Sequence, residues 1–206
     1  MKHKKILFGR PKKKKATELP DQLEIIGLSH EGRGIAKHAG KTIFVSGALP
    51  GETVGFKIDK EHRRFDEAHC TEILTASEHR TDAHCEHYGT CGGCDFQHLE
   101  HDSQITNKET LVVDQLQRLG KLIPESIDTP ICSDPWHYRR SSRVGINQRQ
   151  MDGQAIVGYR RRASNKLTPI NNCPVLTPSL NKLLQALPKV LETADNFKDI
   201  THAELT

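Results

Sequence analysis

Three cysteines lie within ten residues of one another near the middle of the chain, at Cys85, Cys91 and Cys94. Their spacing is C-x5-C-x2-C, and three glycines lie among them. Two thiols in a C-x2-C unit can bind one metal centre because the chain between them turns tightly. Glycine permits the positive φ angles of such a turn, so that backbone N–H groups can point at the sulfurs. The spacing therefore indicates a metal centre that needs a fourth ligand.

The best candidate for the fourth ligand is Cys173, which is followed directly by Pro174. A cysteine followed by proline is common among the ligands of iron–sulfur clusters, and proline supplies no competing backbone donor. Zinc is the main alternative, because it also binds four cysteines, or three cysteines and a histidine such as the nearby His84 or His98. Zinc sites usually pair two short ligand units, which favours a cluster here, but the spacing alone leaves both metals open.

Other uses of the six cysteines are less consistent with the sequence. Three disulfides are disfavoured because no secretion signal precedes the domain and a chain of 206 residues does not need cross-links. Cys70 lies in a predicted strand and is interpreted as a core residue, and Cys132 has no partner at ligand spacing. No apolar run approaches the roughly 20 residues of a membrane helix, so we expect a cytoplasmic protein without a membrane partner.

The first 15 residues carry seven lysines, one arginine and no acidic residue. We interpret residues 1–18 as a disordered basic arm, in which Lys12, Lys13, Lys14 and Lys15 contact phosphate backbones. A tail that only increases solubility is the alternative.

Residues 19–76 contain short apolar or alternating runs separated by Gly- and Pro-containing turns. The predicted strands are Leu23 to Leu28, Gly34 to Ala36, Lys41 to Val45, Thr53 to Ile58 and Ala68 to Leu74. Five short strands in so few residues predict a small barrel of the oligonucleotide-binding (OB) type.

Two helices are predicted in the second half of the chain. Asp102 to Leu119 has an apolar stripe that we expect to pack in a core, with Asp102 or Ser103 as the cap and Gly120 at its end. Residues 177–191 form the second, with Thr177 as N-cap and an inward face of Leu180, Leu183, Leu184 and Leu187.

A strongly basic hairpin is predicted between these helices. Strands at Ser142 to Gln148 and Gln154 to Arg161 are joined by a turn at Met151-Asp152-Gly153. Residues 139–166 carry seven arginines and one lysine against a single acid. Arginine binds phosphates bidentately and stacks on splayed bases, and Trp136, Tyr138 and Tyr159 could add stacking surfaces. The alternative is a solvated hairpin whose aromatic rings pack inward.

Several of these motifs resemble those of a known enzyme family. Leu28-x3-Gly32-Arg-Gly-Ile-Ala36 and Ile43-Phe-Val-x-Gly-Ala-Leu-Pro-Gly-Glu52 resemble a TRAM domain, an RNA-binding barrel. The motif C-x5-C-G-G-C-x2-Q-H at 85–98 is similar to the cluster motif of RumA-type enzymes, which are 23S rRNA 5-methyluridine methyltransferases. Further similar segments are Tyr138-Arg-Arg140, Gly158-Tyr-Arg160 and Cys173-Pro-Val-Leu176. The resemblance covers nearly all of residues 19–190.

The resemblance implies a 4Fe–4S cluster on Cys85, Cys91, Cys94 and Cys173, with 23S rRNA as partner and no obligate protein partner. It implies a mainly β fold with some α: an OB-like TRAM barrel at 19–76, then an incomplete α+β iron–sulfur domain at 77–206. The residues expected to contact RNA, besides the arm, are Arg33, Arg63, Arg64, Arg139, Arg140, Arg143, Arg160, Arg161 and Arg162.

Such enzymes use S-adenosylmethionine on a Rossmann-like domain with a glycine-rich turn after a strand. No such unit is recognised in this sequence, and no catalytic residue of the family has a matching position. We therefore predict that the chain by itself does not methylate RNA. Methyl transfer to uracil needs no electrons, so the cluster is expected to be structural or to shape the RNA site. The alternative is a stand-alone RNA-binding protein with a structural zinc knuckle.

Overall fold

The structure is a computed structural model that describes residues 19–194 and 197–206. The predicted basic arm, including Lys12, Lys13, Lys14 and Lys15, lies outside the described residues. The described chain contains two β-sheets and two α-helices. The fold is mainly β with few helices, as predicted.

The first sheet is a curled sheet of six strands in the order β1-β5-β6-β4-β3-β2. The strands are β1 Gln22–Glu24, β2 Gly27–Leu28, β3 Arg33–His38, β4 Lys41–Ser46, β5 Thr53–Glu61 and β6 Phe65–Thr75. All pairs are antiparallel except β4 with β6. The predicted strand over 23–28 is divided in two, because the chain changes partner after Ile25: the N–H of Ile26 donates to the carbonyl of Ile35 in β3 at 2.8 Å.

Small and β-branched side chains fill the core of this sheet. Its buried residues are Leu23, Ile25, Ala36, Ile43, Val45, Ala48, Val54 and Ala68. A Cβ at Gly34 would lie 2.8 Å from the Cγ2 of Ile25, so the close approach of these two segments requires glycine. Cys70 is half-buried and packs against the same core, in agreement with its interpretation as a core residue.

The second sheet has four antiparallel strands in the order β10-β7-β8-β9. These are β7 Ser142–Gln148, β8 Ala155–Arg160, β9 Leu167–Pro169 and β10 His202–Leu205. The predicted β7–β8 hairpin is confirmed, and Gly153 takes a φ of +73° in its turn. The sequence analysis did not predict β9 or β10, because strands of three and four residues carry too little alternation to be recognised.

The second helix, α2 (Pro178–Glu192), packs on the inner side of the second sheet. It buries Leu180, Leu184 and Leu191 together with Val144 and Val157 of the strands. The predicted inward position of Leu183 is wrong, because 49% of this residue is exposed.

The first helix, α1 (His101–Gln115), continues into a π-helical turn at Leu116–Gly120. The helix begins after Glu100 without a side-chain cap, so the predicted caps at Asp102 or Ser103 are not used. None of its residues is buried, and Val112 is 56% exposed. The prediction that its apolar stripe packs in a core is therefore wrong for the described part of the chain.

A buried ion pair links the first sheet to the cysteine-bearing segment. Glu52 is fully buried, and its carboxylate accepts hydrogen bonds from Nε and Nη2 of Arg80 at 2.6 and 2.8 Å. The backbone N–H groups of Leu49 and Ser77 donate to the same carboxylate at 2.8 and 3.2 Å. Burial alone would raise the pKa of Glu52, but these donors outweigh it and hold the pKa below its usual value.

Arg80 in turn fixes the base of the segment 81–98, which carries Cys85, Cys91 and Cys94 and which we call the cysteine loop. Its Nη2 also donates to the carbonyl of Gly47 at 2.8 Å, and its backbone pairs with Leu99 in an antiparallel bridge. On either side of this bridge, Thr81 donates to His98 and Glu100 donates to His79. The two ends of the loop are therefore held side by side against the first sheet.

We predict that Arg80→Met lowers the free energy of unfolding by about 3–5 kcal/mol, because Glu52 would be left as a buried charge without its partner. Chemical denaturation of the two proteins measures the difference. Arg63→Met, in an exposed loop, is the control and should change stability by less than about 0.5 kcal/mol. Equal effects of the two substitutions would contradict the assignment, and the double variant Arg80→Met/Glu52→Leu should recover part of the loss.

Candidate metal centre and nucleic-acid interface

Four of the six cysteines line one small cavity between the cysteine loop and the second sheet. The cavity has a volume of about 40 Å³, and Cys85, Cys91, Cys94 and Cys173 contribute to its wall. All four are half-buried free thiols. The fold therefore brings the distant Cys173 to the three clustered cysteines.

The chemistry of these side chains suits a metal centre, although their present spacing does not form one. Within residues 19–194 and 197–206, no group of three or more His, Cys, Asp or Glu side chains has the geometry to hold a metal ion. Burial raises the pKa of Cys91 and of Cys173, and the nearby Cys94 thiol contributes to both shifts. Four soft thiols around one cavity fit an iron–sulfur cluster by donor type, so the cluster stays a prediction.

The cysteine loop is shaped by its own backbone. Tyr88 N–H donates to the carbonyl of Cys85 at 3.0 Å, and Cys91 N–H donates to that of His87 at 2.8 Å. Gly89 takes a φ of +82° within the second of these turns. The N–H of Gly93 points at the Cys91 sulfur at 3.4 Å, which is the kind of contact that stabilises a thiolate ligand.

A buried asparagine of α2 holds the turn that carries Cys173. The Asn181 Oδ1 accepts the N–H of Cys173 at 2.8 Å, and its Nδ2 donates to the carbonyls of Cys173 and Leu176 at 3.0 and 3.3 Å. Sequence analysis missed Asn181. The signal that could have revealed it is its place between Leu180 and Leu184, because a polar side chain on an inward face needs buried partners.

The cysteine loop is also attached to the basic hairpin. Gly92 N–H donates to the Arg160 carbonyl at 2.9 Å, and Cys91 pairs with Arg161 in an antiparallel bridge. A Cβ at Gly92 would lie 3.1 Å from the Arg160 carbonyl oxygen. Nη2 of Arg162 donates to the carbonyl of Cys94 at 2.9 Å.

The predicted RNA-binding arginines fall into two groups. Arg162 is half-buried and contacts Asp95 at 2.7 Å, while Arg33 pairs with Glu31 and Glu67. Both therefore have acidic partners within the fold. The members of the second group are exposed and form no ion pair with another described residue: Arg63, Arg64, Arg139, Arg140, Arg143, Arg160 and Arg161.

The three aromatic residues near the hairpin also differ in their surroundings. Tyr159 packs against the core of the second sheet, and its hydroxyl lies 2.7 Å from that of Ser142. The Trp136 ring lies 4.6 Å from that of His84. Tyr138 is 54% exposed. Inward packing therefore applies to Tyr159, whereas Tyr138 is available to a ligand.

The outer face of the second sheet carries a shallow hollow of about 380 Å³. Arg143 and Arg160 lie beside it on neighbouring strands, together with Gly145 of β7 and Leu167 of β9. His202 of β10 completes the rim. Sequence analysis missed His202 because it did not predict the strand that carries it.

Part of the chain matches a known domain, and most of it is similar to part of known enzymes. The TRAM domain model matches residues 22–70. The 23S rRNA (uracil(1939)-C(5))-methyltransferase RlmD of Stenotrophomonas maltophilia strain R551-3 is 37% identical over 188 residues, which are 90% of this chain and 42% of that protein. RlmD of Halomonas elongata is 40% identical over 186 residues, covering 89% and 38% of the two chains.

The chain is similar to part of RlmD. The resemblance to RumA-type enzymes is thereby confirmed, and the chain spans about two-fifths of the length of the curated relatives it matches.

A solved structure has a similar fold over most of this chain. The tRNA (uracil-54, C5)-methyltransferase of Pyrococcus abyssi, in complex with S-adenosyl-L-homocysteine, superposes with a TM-score of 0.57 at 20% identity. The match covers 89% of this chain and 42% of that one. Among the described residues, no helix is long and apolar enough to cross a membrane.

Buried His98 and half-buried Tyr88 form a pair behind the cysteine loop. Tyr88 donates to the carbonyl of Asp95 at 2.8 Å, and its oxygen contacts Nδ1 of His98. Burial lowers the pKa of His98 to about 4, and nearby Arg80 contributes. Burial also raises the pKa of Tyr88 to about 12. Both side chains are therefore neutral near pH 7.

We predict a loss of stability on mild acidification that depends on His98. The unfolded histidine binds a proton below its ordinary pKa of 6.5, whereas the folded one stays neutral down to about 4. Lowering the pH by one unit within this window therefore reduces the free energy of unfolding by about 1.4 kcal/mol. We would measure the free energy of unfolding by denaturation at pH 8, 7 and 5. From pH 7 to pH 5 this free energy should fall by about 2 kcal/mol less in His98→Gln than in the unsubstituted protein.

The pH 8 measurement is the control, because His98 is neutral there in both the folded and the unfolded chain. The difference in unfolding free energy between the two proteins at pH 8 therefore reports only the cost of the substitution. Identical pH dependence in the two proteins would contradict the assignment.

Proposed function

We propose that this chain is the RNA-recognition part of an enzyme that uses S-adenosylmethionine to form 5-methyluridine in 23S rRNA. The observation that carries this proposal is the 37–40% identity to RlmD proteins over about nine-tenths of the chain. The TRAM match and the exposed basic hairpin support it, because both are features of RNA-binding surfaces.

We propose a basic arm at 1–18, an OB-like TRAM domain at 19–76 and an incomplete iron–sulfur and RNA-binding domain at 77–206. Two separate hydrophobic cores, one in each sheet, support the division. The proposed location is the cytoplasm, where 23S rRNA is the partner and no obligate protein partner is needed.

The proposed RNA contacts are the exposed arginines on and beside the second sheet. Arg143 and Arg160 flank the hollow on its outer face, where phosphates can be bound bidentately. Arg139 and Arg140 adjoin the exposed ring of Tyr138, on which an unstacked base can lie. Arg33 and Arg162 are left out of this surface because acidic partners hold their side chains.

The proposed cofactor of this part is a 4Fe–4S cluster held by Cys85, Cys91, Cys94 and Cys173, which line one cavity. When bound, it supplies a covalent link between two segments that are distant in the sequence. The chain's own contribution is orientation: the cysteine loop is bonded to Arg160 and Arg161, so that fixing the loop also fixes the hairpin. This role is structural, since transferring a methyl group to uracil requires no electrons.

We propose that the S-adenosylmethionine site and the catalytic residues lie in a further part of the protein. No described strand is followed by the glycine-rich turn and helix on which such cofactors bind. The chain by itself is then inactive as a methyltransferase.

We predict that Arg143→Ala/Arg160→Ala weakens binding to a 23S rRNA fragment carrying the uridine that the RlmD relatives modify. Affinity falls as the salt concentration rises, with a slope of log affinity against log salt of about −0.7 per phosphate contact for single strands. Losing two contacts should therefore make this slope less steep by about 1.4. Filter binding at several salt concentrations measures both quantities. Lys182→Ala/Lys189→Ala removes the same charge from α2, on the inner side of the sheet, and should leave the slope unchanged. Equal effects of both double variants would count against this surface.

We predict that Cys173→Ser lowers bound iron sharply in protein purified without oxygen, because a hydroxyl is a poor ligand for iron–sulfur clusters. Metal analysis and the visible absorption of the cluster give the readout. Cys132→Ser is the matched control and should keep its iron, as Cys132 is exposed and lies outside the cavity. Unchanged iron in Cys173→Ser means that the fourth ligand is another residue. Colourless protein with bound zinc supports the zinc-knuckle alternative.

A further inference from the structure

The inward face of helix α2 carries a polar residue, Asn181, among its leucines. Asn181 is 7% exposed and lies between the buried Leu180 and Leu184. A helix face that packs on a sheet gains nothing from an amide, because a buried amide costs free energy unless its donors and acceptor are hydrogen-bonded. A polar residue at this position therefore indicates a task other than packing.

The side chain of Asn181 makes three hydrogen bonds to the turn 173–176. Its Oδ1 accepts the N–H of Cys173 at 2.8 Å, and its Nδ2 donates to the carbonyls of Cys173 and Leu176 at 3.0 and 3.3 Å. The N–H of Leu176 closes the turn on the Cys173 carbonyl at 3.0 Å. One side chain thus bonds both ends of the turn and both peptide groups of the cysteine.

A second segment holds the same turn from the other side. The N–H of His137 donates to the carbonyl of Pro174 at 2.9 Å, and that of Arg139 donates to the carbonyl of Val175 at 2.8 Å. These bonds fix the path of the turn, but they do not involve the peptide groups of Cys173. Those groups are bonded instead by the amide on α2.

The shape of the turn also decides what faces the sulfur of Cys173. Burial raises the pKa of this thiol, and the N–H groups of Val175 and Leu176, which hydrogen-bond the sulfur, act in the opposite direction. N–H groups that point at a ligand sulfur stabilise the metal-bound thiolate. They also raise the reduction potential of an iron–sulfur cluster, because they stabilise its more negative, reduced form. An opened turn would withdraw both effects.

We propose that Asn181 is a positioning residue for the metal centre, which holds Cys173 in the orientation of a ligand before any metal binds. This inference rests on the proposed 4Fe–4S cluster. Cys85, Cys91 and Cys94 share one loop and are kept together by its local turns. The fourth ligand comes from a distant segment, so its position depends on tertiary contacts, and Asn181 supplies those made at the ligand itself.

The first test compares the rate of iron release from Asn181→Leu and from the unsubstituted protein, both purified without oxygen. Leucine has the same number and branching of side-chain heavy atoms but cannot hydrogen-bond the turn. Loss of such a partner typically costs about 10–100-fold in metal affinity, so release to an added iron chelator should be at least about tenfold faster. Gln185→Leu, which removes an exposed amide one turn later in α2, is the control and should release iron at the unsubstituted rate.

A second measurement separates positioning from a general loss of stability. In Asn181→Leu the midpoint potential of the cluster should become more negative, because the released turn withdraws N–H groups from the Cys173 sulfur. A redox titration followed by electron paramagnetic resonance measures it. Leu191→Ala, which removes a buried contact at the far end of α2, should lower the midpoint of unfolding but change neither the potential nor the release rate. Asn181→Ala removes the same hydrogen bonds without added volume and should behave like Asn181→Leu.

The possible failures of this inference and of the proposed cluster are distinguishable. Iron release from both Asn181 variants at the unsubstituted rate, or an equal acceleration in Leu191→Ala, overturns the positioning role and leaves the cluster in place. Unsubstituted protein that binds no iron when purified without oxygen overturns the cluster, and the positioning role with it.

Discussion

The buried Glu52–Arg80 pair is the interaction on which the arrangement of the two sheets depends. A carboxylate without any solvent exposure is costly unless its oxygens are fully hydrogen-bonded. Here one guanidinium and two backbone N–H groups supply those bonds. Because Arg80 belongs to the segment that leads into the cysteine loop, satisfying Glu52 also determines where that loop begins. The stability of the first sheet and the position of the loop are therefore coupled.

Asp95 makes the second connection between the parts of the molecule. Its carbonyl accepts the Tyr88 hydroxyl, and its carboxylate contacts Arg162 beyond β8. On the other side, a Cβ at Gly32 would lie 2.7 Å from the Asp95 carbonyl oxygen, so the turn before β3 can approach only as glycine. The loop is thus held between the first sheet and the hairpin. A metal centre in it would be well placed to rigidify both.

The sequence predicted features that depend on local patterns. The hairpin was recognisable from its turn residues, α2 from its leucine spacing, and the grouping of cysteines from C-x2-C and Cys-Pro. The sequence did not reveal the burial of Glu52, because this residue follows Pro50 and Gly51 and has the pattern of an exposed turn residue. It also missed β10, which is a strand only because β7 has an open edge. These features depend on tertiary neighbours that local patterns do not encode.

The predicted RNA contact of Arg162 and the predicted core packing of α1 failed for the same physical reason. Arg162 and Arg143 are equivalent in a count of charges, yet one is held by Asp95 and the other lies on the outer face of the sheet. Likewise, an apolar stripe shows that a helix has a face to bury, but does not say what covers it. In α2 the second sheet covers that face, and in α1 no described element does. The apolar stripe of α1 therefore adds no buried core to the described part of the chain.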